Sequence, residues 1–458
     1  MNPADATRVF DPRDVADAYA RLKDAGTRLI VMTMVDNAGI TRVKVIPLRR
    51  LESAATGGVG MSTLWAVAGG DDRFAAVPPY DSPSGDLRLF PDLAAARPLP
   101  SSPGYAWVPA VQYEQSLEIS AGCQRSVLRS VVENARSAGL EFRTVFESEM
   151  TLLNPDGTPA HSGPAHSARA LLPLEDFTLA LVEALDGAGI DVEQVHPEYS
   201  PGQFEVAVSP RDPLTAADDV VLLRYVARQV ARRHGLDVSF APVVTPGAAG
   251  NGAHTHVSVW RDGENLMQDG SATEPGMRAD GAAFTAGILD ELPRLLAVLA
   301  PTVPSYERLK PNHWSGAFAC WGVENREAAL RFIPGTVSVR KSSANLEVKT
   351  VDGAANPYLA TALLLAAGMR GVERRLELPA PVQVDPAGLS EVERDKHRVV
   401  RLPEDLARAT ELFAGSELAR SVLGETLHDA LVAVREQAAG AADTRDVHEL
   451  AVEDRFRY

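Results

Sequence analysis

Three short apolar segments of this chain each carry two chemically active side chains that stand two residues apart. The three pairs are Glu147 with Glu149, His254 with His256, and Glu347 with Lys349. In a β-strand, residues i and i+2 point to the same face, so both members of a pair project together. The pattern predicts strands that each present two polar side chains on one face.

Two further carboxylates stand near turn residues. Glu198 lies in His-Pro-Glu, and Glu205 follows seven residues later, after a Pro-Gly turn. Taken alone, each motif also fits a plain role. Paired glutamates are more often the solvated face of a strand, the segment around Glu198 is also typical of a polar loop, and paired histidines are also typical structural residues.

Three arginines among apolar residues indicate what chemistry these carboxylates could serve. Arg308, Arg326 and Arg331 lie between residues 305 and 332, interleaved with aromatic residues and prolines, and therefore require anionic partners. Carboxylate oxygens with one imidazole suit Mg²⁺ or Mn²⁺ better than a structural zinc. Divalent cations beside arginines are what phosphoryl transfer needs. The residues alone indicate metal-assisted phosphate chemistry and no more.

Charge and cysteine content exclude several classes of protein. The net charge of −16 disfavours a nucleic-acid partner or an anionic membrane. The longest apolar stretch, near residues 359–369, is too short to cross a bilayer, and the first residues do not resemble a secretion signal. With only Cys123 and Cys320, the chain fits a reducing compartment. We therefore expect a cytoplasmic protein with neither nucleic acid nor membrane as partner.

Hydrophobic periodicity predicts two domains. We expect a small α+β domain over residues 1–110, with a hairpin over 29–46 and a loop-rich boundary over 77–109. We expect a larger domain over 111–458, in which short strands alternate with helices. The last hundred residues are predicted to be mainly helical, with the clearest helices over 356–372 and 403–438.

Six motifs, in this order and spacing, resemble the glutamine synthetase family over nearly the whole chain. They are F-E-S-E at 146–149, H-P-E-Y-S-P-G-Q-F-E at 196–205, G-N-G-A-H-T-H-V-S at 250–258, P-T-V-P-S-Y-E-R-L-K-P at 301–311, N-R-E-A-A-L-R at 325–331 and N-L-E-V-K-T-V-D-G-A-A-N-P-Y-L at 345–359. The resemblance implies an α+β fold, with an N-terminal β-grasp domain and a C-terminal α/β catalytic domain. It also implies a homo-oligomer, usually a dodecamer of two hexameric rings.

The activity implied by the resemblance is ATP-dependent ligation of glutamate to an amine. ATP would phosphorylate the γ-carboxylate, and a neutral amine would then attack the γ-glutamyl phosphate. Two or more Mg²⁺ or Mn²⁺ ions per active site would assist. The implied ligands are Glu149, Glu198 and Glu205 for the metal on the substrate carboxylate, and Glu147, His254 and Glu347 for the metal on the nucleotide.

The remaining matched positions have implied roles in binding and catalysis. Those for glutamate are Asn251, Gly252, Arg308 and Lys349. Those on the transferred phosphate are Arg326 and Arg331, and those for the nucleotide are His256, Ser258 and Asn345. Lys349 and Asn345 each stand where the family has an arginine.

Three departures from the family fall in the pocket for ammonium. Trp314 stands where the family has a glutamate that handles the ammonium proton. No carboxylate stands at residues 60–63, where an ammonium-binding aspartate is expected, and no tyrosine lies between Tyr113 and Tyr199. An aromatic wall suits a larger amine through apolar and cation–π contacts. The chain therefore resembles the γ-glutamylamide synthetases for ethanolamine or polyamines, with Trp314 choosing the nucleophile.

Two alternatives remain open from the sequence. One is a glutamine synthetase that uses ammonia through a rebuilt site, which the triple departure disfavours. The other is an inactive, ring-forming homologue, which the presence of all six metal-ligand positions disfavours. His313 is a candidate base for the amine proton, although a loop histidine is also typical of an exposed surface.

Overall fold

The structure is a computed structural model that describes residues 9–271 and 276–458. Within these residues, the N-terminal part forms a six-stranded sheet in the order β2-β1-β6-β4-β3, with β5 paired to β6. Its strands are β1 (Leu29–Val35), β2 (Thr41–Pro47), β3 (Val59–Ser62), β4 (Asp86–Pro91), β5 (Arg97–Pro98) and β6 (Tyr105–Tyr113). The sheet is mixed, because β1 and β6 are parallel while its other pairs are antiparallel.

The second sheet carries the predicted site. Over the described residues it has ten strands in the order β16-β13-β14-β15-β11-β7-β9-β8, with β10 on β7 and β12 on β11. They are β7 (Glu141–Leu153), β8 (Val192–Pro197), β9 (Gln203–Val208), β10 (Asp237–Ser239), β11 (Ala253–Arg261), β12 (Glu264–Asn265), β13 (Phe318–Val323), β14 (Ala328–Ile333), β15 (Asn345–Val348) and β16 (Val400–Arg401).

Helices cover the sheets and form most of the C-terminal part of the chain. Those of the first half are α1 (Pro12–Asp24), α2 (Leu51–Gly57), α3 (Gln124–Ser137), α4 (Ala168–Leu171), α5 (Glu175–Gly187) and α6 (Pro213–Arg233). Those of the second half are α7 (Ala279–Leu299), α8 (Ser305–Arg308), α9 (Arg340–Ser343), α10 (Pro357–Arg374), α11 (Glu391–His397), α12 (Leu406–Ala414), α13 (Glu417–Leu423), α14 (Glu425–Gly440) and α15 (Val447–Asp454). The predicted α+β class is confirmed.

The predicted hairpin is formed by β1 and β2. Its turn is held by Asp36, whose carboxylate accepts hydrogen bonds from the backbone N–H groups of Ala38 at 3.0 Å and Ile40 at 2.9 Å. Gly39 adopts a φ of +88°, which a residue without Cβ reaches at little cost. A Cβ at Gly39 would also collide with the carbonyl oxygen of Ala354, so the turn packs tightly against the segment before α10.

The prediction that residues 77–109 form a loop-rich boundary is wrong in part, because β4, β5 and the beginning of β6 fall inside this range. Pro91 and Pro98 stand at the ends of β4 and β5, where a missing N–H costs little. Pro109 lies inside β6, where its carbonyl accepts a hydrogen bond from Asp92 N–H at 2.9 Å. Because β6 continues to Tyr113, the last strand of the first sheet passes residue 110; the domain division at that residue stays a prediction.

The main core lies behind the second sheet. Phe146, Met150 and Leu152 of β7 are almost fully buried in this core, in which β7 packs against α6 and α3. Gly371 of α10 lets that helix approach α7, since a Cβ there would lie 2.7 Å from Gly287 Cα. In the described part of the chain, every helix is too short or too polar to span a membrane.

Candidate active site

The register of the second sheet brings the predicted pairs together. Within the ladder of β7 and β11, His254 lies opposite Glu147, and within that of β11 and β15, His256 lies opposite Glu347. On the other side of β7, Glu149 lies opposite Glu205 of β9. Because opposite residues of antiparallel strands share a face, four strands present these side chains to one cleft.

Strand β7 separates this cleft from the core. Phe146 and Met150, which alternate with Glu147 and Glu149, point into the hydrophobic core and are at most 2% exposed. The alternation therefore fixes the glutamates on the opposite face, since a shift by one residue would bury both carboxylates in apolar surroundings. Packing of its core residues therefore holds the strand in place, and the alternation of its side chains directs Glu147 and Glu149 into the cleft.

His254 lies at the centre of the carboxylates. Its Nδ1 is 3.3 Å from Glu347 Oε1 and 3.7 Å from Glu147 Oε2. Its Nε2 is 3.7 Å from Glu149 Oε1 and 3.1 Å from Arg308 Nη2. One imidazole thus connects three of the predicted metal ligands with one predicted glutamate-binding residue.

Two polar groups orient the Glu149 carboxylate. Its Oε2 accepts hydrogen bonds from Gln203 Nε2 at 2.6 Å and from the backbone N–H of Gly252 at 3.0 Å. Gln203 stands in the motif at 196–205, but its residue type alone did not indicate a role. With one oxygen held by these donors, the other faces the cleft.

A second group of possible metal ligands lies at the edge of the cleft, around Glu198. Its Oε1 is 2.9 Å from His196 Nε2 and 3.7 Å from His166 Nε2. The two imidazoles stack with their centroids 4.7 Å apart. His166 comes from the segment before α4, which carries no periodic signal, so sequence reasoning missed it.

Burial and mutual repulsion shape the charges in the cleft. Burial and the carboxylates of Glu147 and Glu149 raise the pKa of Glu205 to about 10. Burial opposes ionisation of Glu147 too, but His256 and His254 hold its pKa well below the usual range. Burial disfavours protonated His256, yet the Glu147 carboxylate raises the pKa of that imidazole to about 9. The clustered carboxylates of the cleft therefore favour a bound cation.

Three sets of side chains in the described residues could each hold a metal ion, since their ligand atoms lie within 4.8 Å of one another. They are Glu147 with His256 and Glu347, Glu147 with Glu205 and His254, and His166 with His196 and Glu198. Carboxylate oxygens joined by imidazole fit a Mg²⁺ or Mn²⁺ site. All six predicted ligands line one cleft, but these sets contain only five of them, leave out Glu149, group the five differently from the sequence prediction and add three histidines.

The predicted cationic residues surround the same cleft. Lys349 Nζ is 2.8 Å from Glu347 Oε1, and Arg331 Nη1 is 3.0 Å from its Oε2. Arg308 is 3% exposed and donates to the carbonyl of Lys349 at 2.9 Å. Arg326 is exposed and lines the same cavity of about 670 Å³. Fixed positive charge therefore lies beside the carboxylates, as transfer of a phosphoryl group requires.

The other predicted binding residues are arranged along β11 and β15 or directly before β11. Asn251 is buried, and its side-chain amide donates to the carbonyl of Ala241 at 2.9 Å. His256 Nδ1 is 2.9 Å from Asn345 Oδ1, while Ser258 accepts a hydrogen bond from Trp260 Nε1 at 2.8 Å. These side chains are engaged within the protein, so their parts in substrate or nucleotide binding stay predictions.

A loop over residues 310–316, which we call the flap, closes one side of the cavity. Its Trp314 is 44% exposed, and its ring meets Tyr199 edge to face with the centroids 4.9 Å apart. Its His313 also lines the cavity. The carboxylate of Glu327, another residue missed from the sequence, accepts hydrogen bonds from the backbone N–H groups of Asn312 and Trp314.

Comparison with known proteins decides the family. The profile described as "Glutamine synthetase, catalytic domain" matches residues 121–453, which is most of the chain. The chain belongs to the glutamine synthetase family. It is thus a glutamate–amine ligase that uses ATP, and the ligase class expected from the sequence is confirmed.

Individual relatives within the family cover nearly all of the chain. It is 42% identical to "Gamma-glutamylpolyamine synthetase GlnA3" of Streptomyces coelicolor, over 100% of both chains. It is 30% identical to "Glutamate--methylamine ligase" of Methyloversatilis universalis, over 91% of this chain and 93% of that one. Among solved structures, "Crystal structure of novel glutamine synthase homolog" matches with a TM-score of 0.84 and 34% identity, over 94% of this chain and 99% of that one.

Proposed function

We propose that this glutamate–amine ligase joins the γ-carboxylate of glutamate to a polyamine. The observation that carries the proposal is the wall formed by the rings of Trp314 and Tyr199, whose centroids lie 4.9 Å apart. Both rings line the cavity together with Glu198. Indole and phenol rings bind alkyl stems by apolar contact and ammonium groups by cation–π attraction. Ammonia offers no stem for such a wall to contact.

Similarity supports a polyamine over a smaller amine. The relative named a γ-glutamylpolyamine synthetase is 42% identical over the full length, whereas the glutamate–methylamine ligase is 30% identical. The cavity of about 670 Å³ lies within the range of pockets that hold small organic ligands. Ethanolamine is the other organic amine that the sequence suggested, and the aromatic wall alone is compatible with it.

The site residues are proposed to act in two groups. Glu149, Glu198 and Glu205 would hold the metal on the substrate carboxylate, and Glu147, His254 and Glu347 the metal on the nucleotide. Bound divalent cations supply charge neutralisation around the phosphates. His256, Ser258 and Asn345 are proposed to contact the nucleotide. Asn251, Gly252, Arg308 and Lys349 are proposed to bind glutamate.

The proposed reaction has two steps. A γ-carboxylate oxygen of glutamate attacks the γ-phosphorus of ATP, and ADP leaves. The neutral amine nitrogen then attacks the carbonyl carbon of the γ-glutamyl phosphate, inorganic phosphate leaves with the former carboxylate oxygen, and the nitrogen loses a proton. Arg326 and Arg331 would stabilise the charge on the phosphoryl group in both steps. Trp314 would exclude water from the γ-glutamyl phosphate and orient the amine.

A ring assembly is proposed from family membership. We expect a homo-oligomer, with a dodecamer of two hexameric rings as the specific proposal. Its support is the family match itself, and light scattering coupled to size exclusion would measure the mass directly.

The experiment that tests the activity is phosphate release from Mg-ATP and glutamate with different amines. Ammonium, methylamine, ethanolamine, putrescine and spermidine are compared by kcat/KM, and the product is identified by mass. We expect the highest values with putrescine or spermidine. Preference for ammonium would instead identify a glutamine synthetase, and an absence of turnover with every amine would favour an inactive homologue.

A further inference from the structure

A second polar cavity lies away from the active site, against helix α6. Arg224, Arg228 and Arg232 are spaced four residues apart and therefore share one face of this helix. They line a cavity of about 450 Å³, which the β1–β2 turn and the C-terminal Tyr458 also line. The residues lining this cavity are all different from those lining the catalytic cleft.

Two of these arginines, Arg224 and Arg228, are poorly paired. Arg224 is 5% exposed, yet its one hydrogen bond within the described residues is to the carbonyl of Ala355, at 3.5 Å. Arg228 likewise donates to the carbonyl of Arg224 at 3.5 Å. In the part of the chain that the structure describes, neither guanidinium has a carboxylate within ion-pair distance. Buried Arg125, in contrast, has carboxylate oxygens at 2.7 Å from two different aspartates.

The surroundings compensate this charge only in part. Burial and the charge of Arg228 lower the pKa of Arg224 to about 10, although the carboxylate of Asp352 opposes the shift. Burial alone lowers the pKa of Arg228 to about 10. The ring of Phe240, with its centroid 5.1 Å from the Arg228 guanidinium carbon, is the aromatic contact of that side chain. Guanidinium groups buried in this way are costly without a counter-ion.

We propose that this cavity binds a small polyvalent anion of the phosphate class. Three guanidinium groups on one face offer forked N–H donors, which match the oxygen geometry of phosphate and hold it by charge-assisted hydrogen bonds. The chain as a whole carries a net charge of −16, so this arginine-lined cavity is a local exception, in which the carboxylate of Asp352 offsets the charge of Arg224 only in part. The site is separate from the catalytic cleft and does not depend on which amine the enzyme uses.

Binding of pyrophosphate to the full-length protein tests the proposal, by isothermal titration calorimetry without divalent cations. The double variant Arg228→Gln/Arg232→Gln keeps Arg224 in place and removes two charges from the cavity. Arg50→Gln is the matched control, because Arg50 is exposed and lies outside the cavity. We expect wild type and Arg50→Gln to bind one equivalent of pyrophosphate per subunit that the double variant lacks. If the double variant still binds this equivalent, its Kd should be at least about tenfold higher.

Two further measurements keep the result unambiguous. Circular dichroism and the unfolding temperature establish that the double variant is folded, and tungstate soaked into crystals reports the position of the anion by anomalous scattering. An anomalous peak between Arg224 and Arg228 supports the proposal. Equal pyrophosphate binding by all three proteins overturns it. A double variant that changes its oligomeric state but keeps pyrophosphate binding overturns it as well, because the arginines would then pair with a neighbouring subunit.

Discussion

The backbone N–H of Trp314 donates a hydrogen bond to the Glu327 carboxylate, with 3.2 Å between N and Oε1. The other oxygen of the same carboxylate accepts the backbone N–H of Asn312 at 3.3 Å. Trp314 and Asn312 have φ values of +51° and +64°, which cost roughly 1 kcal/mol or more for residues with a Cβ. One side chain outside the cavity lining therefore holds the flap in a strained conformation.

We predict that Glu327→Ala weakens amine binding more than glutamate binding. Loss of both acceptors releases the two N–H groups and lets the flap relax, so that Trp314 leaves the amine wall. Hydrogen bonds to a charged group contribute about 1.5–3 kcal/mol, so KM for the amine should rise about tenfold or more. Steady-state kinetics with each substrate varied in turn measure the difference.

Glu327→Gln is the conservative partner of that variant. Its amide oxygen accepts one of the two N–H groups, so its amine KM should lie between those of wild type and Glu327→Ala. Glu377→Gln, at an exposed position after α10, should leave both KM values unchanged. Equal effects of Glu327→Ala on the KM values of amine and glutamate would contradict a role in positioning Trp314.

The carboxylates of the cleft should be required for turnover but not for folding. We predict that Glu149→Ala, Glu198→Ala or Glu347→Ala each lowers kcat about a hundredfold or more, since each removes a charged ligand from the proposed metals. Glu141→Ala is the matched control, because Glu141 is exposed at the start of the same strand as Glu149. Near-normal turnover in any of the three cleft variants would refute the metal assignment.

Metal removal should mimic these substitutions. Chelation with EDTA is expected to abolish phosphate release, and added Mg²⁺ or Mn²⁺ should restore it in wild type but much less in the three variants. Circular dichroism and size exclusion of the same samples separate loss of metal binding from loss of structure. Full turnover in EDTA would count against divalent cations altogether.

A buried ion-pair network should contribute strongly to stability. Arg125 of α3 makes two hydrogen bonds to Asp218 of α6, at 2.9 and 2.7 Å, and one to Asp92 of the N-terminal domain at 2.7 Å. Tyr358 Oη also donates to Asp218 at 2.7 Å. We predict that Asp218→Ala lowers the free energy of unfolding by about 3 kcal/mol, because a buried guanidinium loses its main counter-ion.

The surface pair of Arg408 with Glu411 provides the control for that network. Both side chains are more than half exposed, so Glu411→Ala should change stability by less than about 1 kcal/mol. Apparent Tm values at one fixed protein concentration compare the variants, because assembly makes Tm depend on concentration. Equal Tm values for Asp218→Ala and Glu411→Ala would refute the proposed role of the network.

The site was more predictable from sequence than the fold around it, for a physical reason. A period of two assigns Glu147 and Glu149 to one face from local sequence alone. Which strand lies opposite is a tertiary fact, so the pairing of Glu149 with Glu205 could not be read from either segment. The same holds for His166, which reaches Glu198 from a loop without periodicity.

Errors in the fold prediction arose where local signals were overridden. Prolines between residues 77 and 109 suggested loops throughout this range, yet Pro91 and Pro98 stand at strand ends and Pro109 lies inside β6. Residues 403–438 read as one helical run because apolar spacing continues through them. The structure breaks the run into α12, α13 and α14 at Gly415 and Gly424, the latter with a φ of +74°.

Trp314 should be the main determinant of amine choice. An indole can face a cation and cover an alkyl stem, but it cannot accept a proton at neutral pH, so the amine proton must leave to water or to another base. We predict that Trp314→Glu lowers kcat/KM for the best amine. Loss of cation–π and packing contacts with the substrate should weaken binding of the transition state by about 1–2 kcal/mol. Any gain with ammonium should be small, because residues 60–63 still lack a carboxylate.

Trp314→Phe keeps an aromatic face and should retain most of the selectivity. If wild type already prefers ammonium, or if Trp314→Glu leaves the ratio of kcat/KM for the two nucleophiles unchanged, Trp314 is not the selector and the polyamine proposal loses its main support.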